Sequence, residues 1–294
     1  EGCAFSVDLL GKLESGRRRS GFTFAPEAAT DRLRGVINKP IADEALLETA
    51  REVYRRGWTT IKLYFMIGHP TQTLEDVQAI ADLAHAVRRV GFEELGKKSS
   101  VRVGVSTLVP KPHTPFQWVA QASAETIDNR LRLLRERIRA DKRYGRAIGM
   151  RYHDGKPGQI EGLLSRGDRR VGAVIEQVWR DGGVLDGWSE HFSFDRWTAA
   201  AERALAPFGV DLAWYTTRER PRSEILPWDH LDAGLDRDWL WQDYQDSLYG
   251  AEVEDCRWSG CYDCGVCPEF GTEIQIGPTG RSLLPLTVVS RQAG

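Results

Sequence analysis

Four of the five cysteines crowd into one stretch, Cys256-x4-Cys261-x2-Cys264-x2-Cys267, with Pro268 directly after. Two-residue spacers let a turn present successive sulfurs to one centre, and Gly260 and Gly265 relax the backbone between them. Four thiolates so spaced suit an iron–sulfur cluster or a tetrahedral zinc ion, with the cluster the better match. Disulfides fit poorly in a long chain with few cysteines and no secretion signal. Cys3 stands alone.

A second set of residues sits where apolar runs end. Phe24-Ala25-Pro26-Glu27, Phe65-Met66-Ile67-Gly68-His69-Pro70 and Val105-Ser106-Thr107-Leu108-Val109-Pro110 each pass from an apolar strand into small, polar and proline residues. In parallel β/α folds ligands gather at the carboxyl ends of strands. Gly68 leaves room for a ligand to approach the backbone, and Glu27 can accept hydrogen bonds from an amine or a ribose hydroxyl. One such segment reads as an ordinary βα turn. Three in succession read as a site.

The elements that must position these residues alternate. Strands are predicted over Gly21–Ala25, Thr60–Ile67 and Val101–Leu108, the second apolar enough at its end to be buried on both faces. Helices are predicted from about Asp43 to Arg56, from Thr73 (a cap with Asp76 three residues on) to Val90 with Gly91 as the stop, and from Ser123 to Tyr144. Strands alternating with helices call for a parallel sheet with right-handed crossovers. Three units are too few for an eight-stranded barrel and suit half of one.

Beyond Arg146–Gly158, where Gly and Pro punctuate the chain, the pattern turns helical (about Gln159–Arg180 and Asp195–Ala206) and then irregular. All but Trp58 and Trp118 of the ten tryptophans fall at or after Trp179. Such aromatics mostly fill cores, although they can stack bases. Between Arg130 and Arg146 a basic run is opposed only by Glu136 and Asp141. It reads as the solvated face of an amphipathic helix with Leu131, Leu134 and Ile138 inward, rather than as an RNA footprint. Ser165-Arg166-Gly167-Asp168 reads as a polar turn. His113, His153, His191 and His230 show no metal-ligand spacing.

The 294 residues are 41% hydrophobic and 28% charged with a formal net charge of −2, which is ordinary for a globular chain and gives no global pull toward nucleic acid. No apolar run nears the roughly 18–20 residues of a membrane span, and no signal peptide stands at the start, so a cytoplasmic setting is expected. The first residue is Glu1 rather than Met, as expected of a piece of a longer protein.

Phe24 to Lys39, through Phe-Ala-Pro-Glu-Ala-Ala, Leu33-Arg34 and Ile37-Asn38-Lys39, resembles the fourth-strand segment of radical S-adenosylmethionine (radical SAM) enzymes. Phe65 to Asp76 is similar to their fifth-strand signature, and Ser106 to Phe116 to their sixth strand. The chain looks most like a subgroup carrying an N-terminal cobalamin-binding-type domain. The likeness runs from about Gly21 to Trp118 and continues through the tail to Cys267. It implies that residues 1–146 form the C-terminal half of a radical SAM-type β/α barrel and residues 147–294 a mainly helical and irregular Cys-rich accessory domain.

The resemblance also implies roles. Glu27 would contact the ribose or methionine moiety of S-adenosylmethionine. Ile67 and Gly68, with His69, would flank adenine, and Ser106, Leu108 and Val109 would complete its site. The family's Cys-x3-Cys-x2-Cys motif, which holds the 4Fe-4S cluster that cleaves the cofactor, is absent here, and Cys3 cannot replace three ligands. The chain alone is therefore expected to bind the cofactor weakly and not to cleave it. The full enzyme would take an electron donor such as flavodoxin or ferredoxin, and cobalamin, and would end in hydrogen abstraction or methyl transfer. The competing expectation is a non-catalytic module with zinc on the four cysteines and RNA on the basic helix.

Overall fold

Ile61, Leu63, Phe65 and Ile67 alternate with Lys62, Tyr64 and Met66, which dictates a strand with one apolar face and one mixed face. The computed structural model, which describes residues 21–152 and 154–272 apart from the side chains of residues 257 and 258, shows that strand as β2 (Thr60–Ile67). Cys3 and His153 lie outside the described residues. Strands β1 (Phe22–Glu27), β3 (Ser100–Thr107) and β4 (Ile148–Tyr152) join β2 in one parallel sheet, in the order β1-β2-β3-β4. The sheet is open, not closed. The fold is α/β.

Helices α1 (Asp31–Val36), α2 (Asp43–Arg55), α3 (Leu74–Leu95) and α4 (Ala124–Ala140) fill the connections. Side chains from α2, α3 and α4, among them Val53, Ala81, Ala84 and Leu134, pack on Ile61, Leu63, Phe65, Val101, Val103 and Val105 in a single core. The opposite sheet face is uncovered among the described residues. Tyr64 there is 47% exposed, so β2 is buried on one face only, not both. The alternation at Lys62 and Tyr64 already carried that information; the apolar end of the strand masked it.

Two element ends differ from expectation. Helix α3 does not stop at Gly91 but runs to Leu95, with Gly96 at φ +60 as its terminus. Gly91 instead lets the helix approach α2: a Cβ there would lie 2.7 Å from Cζ of the buried Tyr54. Helix α4 ends at Ala140 rather than Tyr144, because the Asp141 carboxylate accepts hydrogen bonds from the Arg143 and Tyr144 N–H groups and turns the chain. That turn leads into β4, a strand the sequence reading missed.

The remaining helices are α5 (Gly155–Arg166), α6 (Val171–Arg180), α7 (Phe194–Leu205), α8 (Leu212–Tyr215), α9 (Arg237–Leu248), α10 (Cys256–Ser259) and α11 (Val266–Glu269). Where one helix was expected over Gln159–Arg180 there are two, broken at Gly167 and Asp168. Asp168 is indeed in a turn, bonded to Arg170, but its neighbour Arg166 is fully buried. The Arg166 guanidinium donates to the carbonyls of Thr216, Gln117 and Val119, pinning α5 to two loops. Trp118, Trp197 and Trp228 fill cores, whereas Trp179 and Trp188 stay exposed. No described helix is long and apolar enough to cross a membrane.

Candidate functional site

Parallel pairing brings the carboxyl ends of β1, β2 and β3 to one edge of the sheet. Met66 is in register with Ser106 and Ile67 with Thr107, and the Leu108 N–H donates to the Ile67 carbonyl at 2.8 Å. Glu27 stands beside Phe65 after a register shift that begins at Phe24. Glu27, Gly68, Ser106 and Leu108 thus lie at the same end of three successive parallel strands. The Ile67 side chain is fully buried in the core, so it offers a ligand only its backbone, and Val109 is 8% exposed.

Glu27 holds an uncommon conformation. Its φ is +63, and the Ala28 N–H closes onto the Pro26 carbonyl at 2.7 Å, the three-residue turn with the less favoured sign. Such strain persists where the surroundings over-determine it, and it concentrates at functional sites. The carboxylate is 3.4 Å from Lys39 Nζ, and both side chains remain partly exposed.

At the β2 tip, Gly68 (φ +92) passes so close to α4 that a Cβ would meet Ile127 and Ala122 at 3.2 and 3.3 Å. Its N–H donates to Gln72 Oε1 at 2.8 Å, and Arg130 donates to the same oxygen and to the Gln72 carbonyl, both at 3.0 Å. Arg130 therefore leaves the solvated basic face and braces the tip. Asp76, almost fully buried, accepts from Thr30 Oγ1 (2.6 Å), from the Thr73 N–H (2.8 Å) and from Arg32, which also bonds Thr71. Burial alone would raise the Asp76 carboxyl; the Thr30 and Thr73 hydrogen bonds and the Arg32 charge outweigh it and hold it below the usual range. The carboxylate ties the β1 and β2 connections together.

Sequence reasoning singled out Thr73 and Asp76 only as a helix cap and left Gln72 and Arg130 without roles. Arg130 was hidden in a charge run. Its signal was its position three residues after Ile127 and next to Leu131, both core positions of the same helix.

His69 is 6% exposed, and neither ring nitrogen has a hydrogen-bond partner among the described residues. Burial pushes its pKa down to about 4; the nearby Met66 carbonyl offsets part of that without a bond of ordinary geometry. Thr107 Oγ1, on the next strand tip, is also buried and unpaired. A neutral imidazole and a hydroxyl, both unsatisfied, are groups a polar ligand at these tips could engage.

The four tail cysteines are free thiols. Gly260 and Gly265 adopt φ +112 and +94, the backbone turns their sequence positions suggested. Cys261 Sγ accepts from the Asp263 N–H at 3.3 Å. Burial, joined by the charges of Asp255, Cys264 and Cys267, pushes the Cys256 thiol up. Among the described residues no set of three or more Cys, His, Asp or Glu side chains encloses a metal position. The donor type and number fit a thiolate-bound metal, and the sulfurs would have to draw together to hold one.

No family model matches the chain, and no solved structure does. An uncharacterized protein of Methanocaldococcus jannaschii is 37% identical over 95 residues, which is 32% of this chain and 20% of that relative. The match thus spans about a fifth of the relative's length and carries no activity with it.

The rest of the basic run is largely engaged within the fold. Arg135 donates to Tyr152 Oη at 2.6 Å and Arg137 pairs with Asp82 at 3.1 Å, while Leu131, Leu134 and Ile138 are buried as expected.

Proposed function

We propose that this chain is the C-terminal half of a radical SAM barrel with its accessory region, and that the tips of β1, β2 and β3 seat S-adenosylmethionine. The observation that carries the reading is that Glu27, Gly68 and Ser106 stand at the carboxyl ends of three successive parallel strands, with the unsatisfied His69 and Thr107 next in the chain after Gly68 and Ser106. Their chemistry fits the cofactor. A carboxylate suits its amine or ribose hydroxyls, and Leu108 with Val109 supplies apolar walls. When bound, the cofactor supplies one-electron cleavage of its sulfonium, for hydrogen abstraction or cobalamin-dependent methyl transfer. This chain's residues bind and orient; the reducing cluster belongs to upstream sequence. An open four-stranded parallel sheet is what half of such a barrel presents.

We read the thiols Cys256, Cys261, Cys264 and Cys267 as holding an iron–sulfur cluster. Anaerobic purification of the chain followed by iron, sulfide and zinc analysis decides the metal: a brown protein with iron and sulfide supports the cluster, and a colourless one with zinc favours the binding module. For the strand tips, titrating S-adenosylmethionine into the chain should give weak, saturable binding that Glu27→Gln weakens about tenfold, the effect of one charged hydrogen bond. Binding indifferent to Glu27 removes the reading.

A further inference from the structure

We propose that the open face of the sheet binds a phosphorylated planar ring of the nucleotide class, with its phosphate against Lys62, Arg102 and Arg151 and its ring on Tyr64. The inference goes beyond the strand-tip reading, because the cations and ring that carry it are mid-strand, although the cavity meets the tips at Ser106.

Register places the groups. Lys62 on β2 faces Arg102 on β3 and then Gly149 on β4; one row on, Tyr64 faces Gly104 and then Arg151. Rows two residues apart are separated by about 7 Å along the strands. Three cations therefore surround one small patch, two of them directly opposite each other. Like charges so placed repel and cost stability. None of the three has an ion pair or hydrogen bond among the described residues, while Arg32, Arg51, Arg137, Arg203 and Arg218 elsewhere all pair with carboxylates. The charge on this face is unbalanced locally, and an anion is the ligand that balances it. The two guanidinium forks match phosphate oxygens better than a point charge would.

The ring follows from Gly104. A Cβ at that position would lie 2.8 Å from Cδ1 and Cε1 of Tyr64, so the tyrosine ring lies down over the glycine. Its other face is left to solvent, with the residue 47% exposed. A flat aromatic platform beside unpaired cations is the arrangement that stacks a base and grips its phosphate. The cavity over this patch is about 630 Å³, reaching from Lys62 past Tyr64 to Ser106, with Tyr152 at the side. That volume lies within the range of small-molecule sites, which favours a single nucleotide over a protein segment.

The test uses the 294-residue chain at low salt with four probes: AMP, adenosine, ribose 5-phosphate and inorganic phosphate. AMP should bind saturably, at least about tenfold tighter than any of the other three, and lose about tenfold with each of Arg102→Gln, Arg151→Gln and Tyr64→Leu. Unfolding midpoints of the three variants, whose altered side chains are exposed, check that they fold. No AMP binding, equal binding of bare phosphate, or AMP binding that ignores all three substitutions overturns the proposal. None of these results bears on cofactor cleavage, which reads the strand tips separately.

Discussion

Asn38 and Val253 hold each other through two hydrogen bonds, the Asn38 Nδ2 donating to the Val253 carbonyl at 2.8 Å and the Val253 N–H donating to Asn38 Oδ1 at 3.1 Å. Nearby, Gly35 meets Gly250 so closely that a Cβ on Gly35 would lie 3.0 Å from the Gly250 carbonyl oxygen. The segment that carries Cys256 is thereby anchored to the end of α1 and the turn after it, where Lys39 reaches back to Glu27. Strand tip and thiols share a mechanical link.

Removing that link should loosen the thiol segment first. Asn38→Ala deletes both hydrogen bonds and puts an alanine at φ +50, for a loss of about 1–2 kcal/mol. Asn38→Gly keeps the backbone comfortable and loses only the clasp. Both should speed amide exchange over residues 251–256 by about tenfold, measured by mass spectrometry. Unchanged exchange would show that the clasp is not what holds this stretch.

The brace between Arg130 and Gln72 is the second prediction. Arg130→Met keeps the apolar stem but removes both bonds to Gln72, leaving its side chain only the Gly68 N–H, and should cost about 1–3 kcal/mol in urea unfolding. Arg139, on the exposed part of the same run, has no partner among the described residues and should change stability by less than about 0.5 kcal/mol on the same substitution. Equal effects at the two positions would return Arg130 to the solvated face.

His69 sets a pH dependence. Folded, it takes a proton only near pH 4; unfolded, it does so near 6.5. Between those values the unfolded chain binds more protons, so stability climbs with pH from about 4 to 6.5 and its contribution is complete above that. The swing is roughly 2–3 kcal/mol. His69→Gln should flatten that part of the curve when unfolding midpoints at pH 4.5 and pH 7 are compared, and an unflattened curve would place the titration elsewhere.

Gly91 supplies a packing test. Gly91→Ala drives a methyl into the Tyr54 ring and the Ser99 side chain and should destabilise by about 1–3 kcal/mol, whereas Gly149→Ala meets nothing within 4 Å and should be near neutral. Equal thermal shifts for the two would contradict the close approach of α3 to α2.

Much of the sheet was legible because apolar alternation and caps act locally. Thr60–Ile67 is reproduced to the residue, and the Thr73–Asp76 box opens its helix where the residue types demand. Most of the failures depended on something distant in sequence, whereas the Asp141 turn that ends α4 early is local. Gly91 reads as a stop until Tyr54 is seen beside it. Arg166 looks solvent-facing until three carbonyls from distant loops converge on it. Ile148–Tyr152, with a glycine and two charged or polar-tipped residues among five, has too little pattern to announce a strand; pairing with β3 makes it one. At the candidate site the strand tips were visible by type and order, whereas Gln72, Arg130 and the unpaired cations of the open face became visible only through their neighbours.

Cleavage of S-adenosylmethionine is the most direct measurement. Protein joining this chain to the barrel half that the proposal requires, with iron and sulfide content verified, is reduced anaerobically and assayed for 5′-deoxyadenosine. The account predicts that product from the joined protein, its loss with Glu27→Gln, and none from the 294-residue chain alone. Cluster-loaded joined protein that forms no 5′-deoxyadenosine, or forms it equally without the Glu27 carboxylate, would contradict the account.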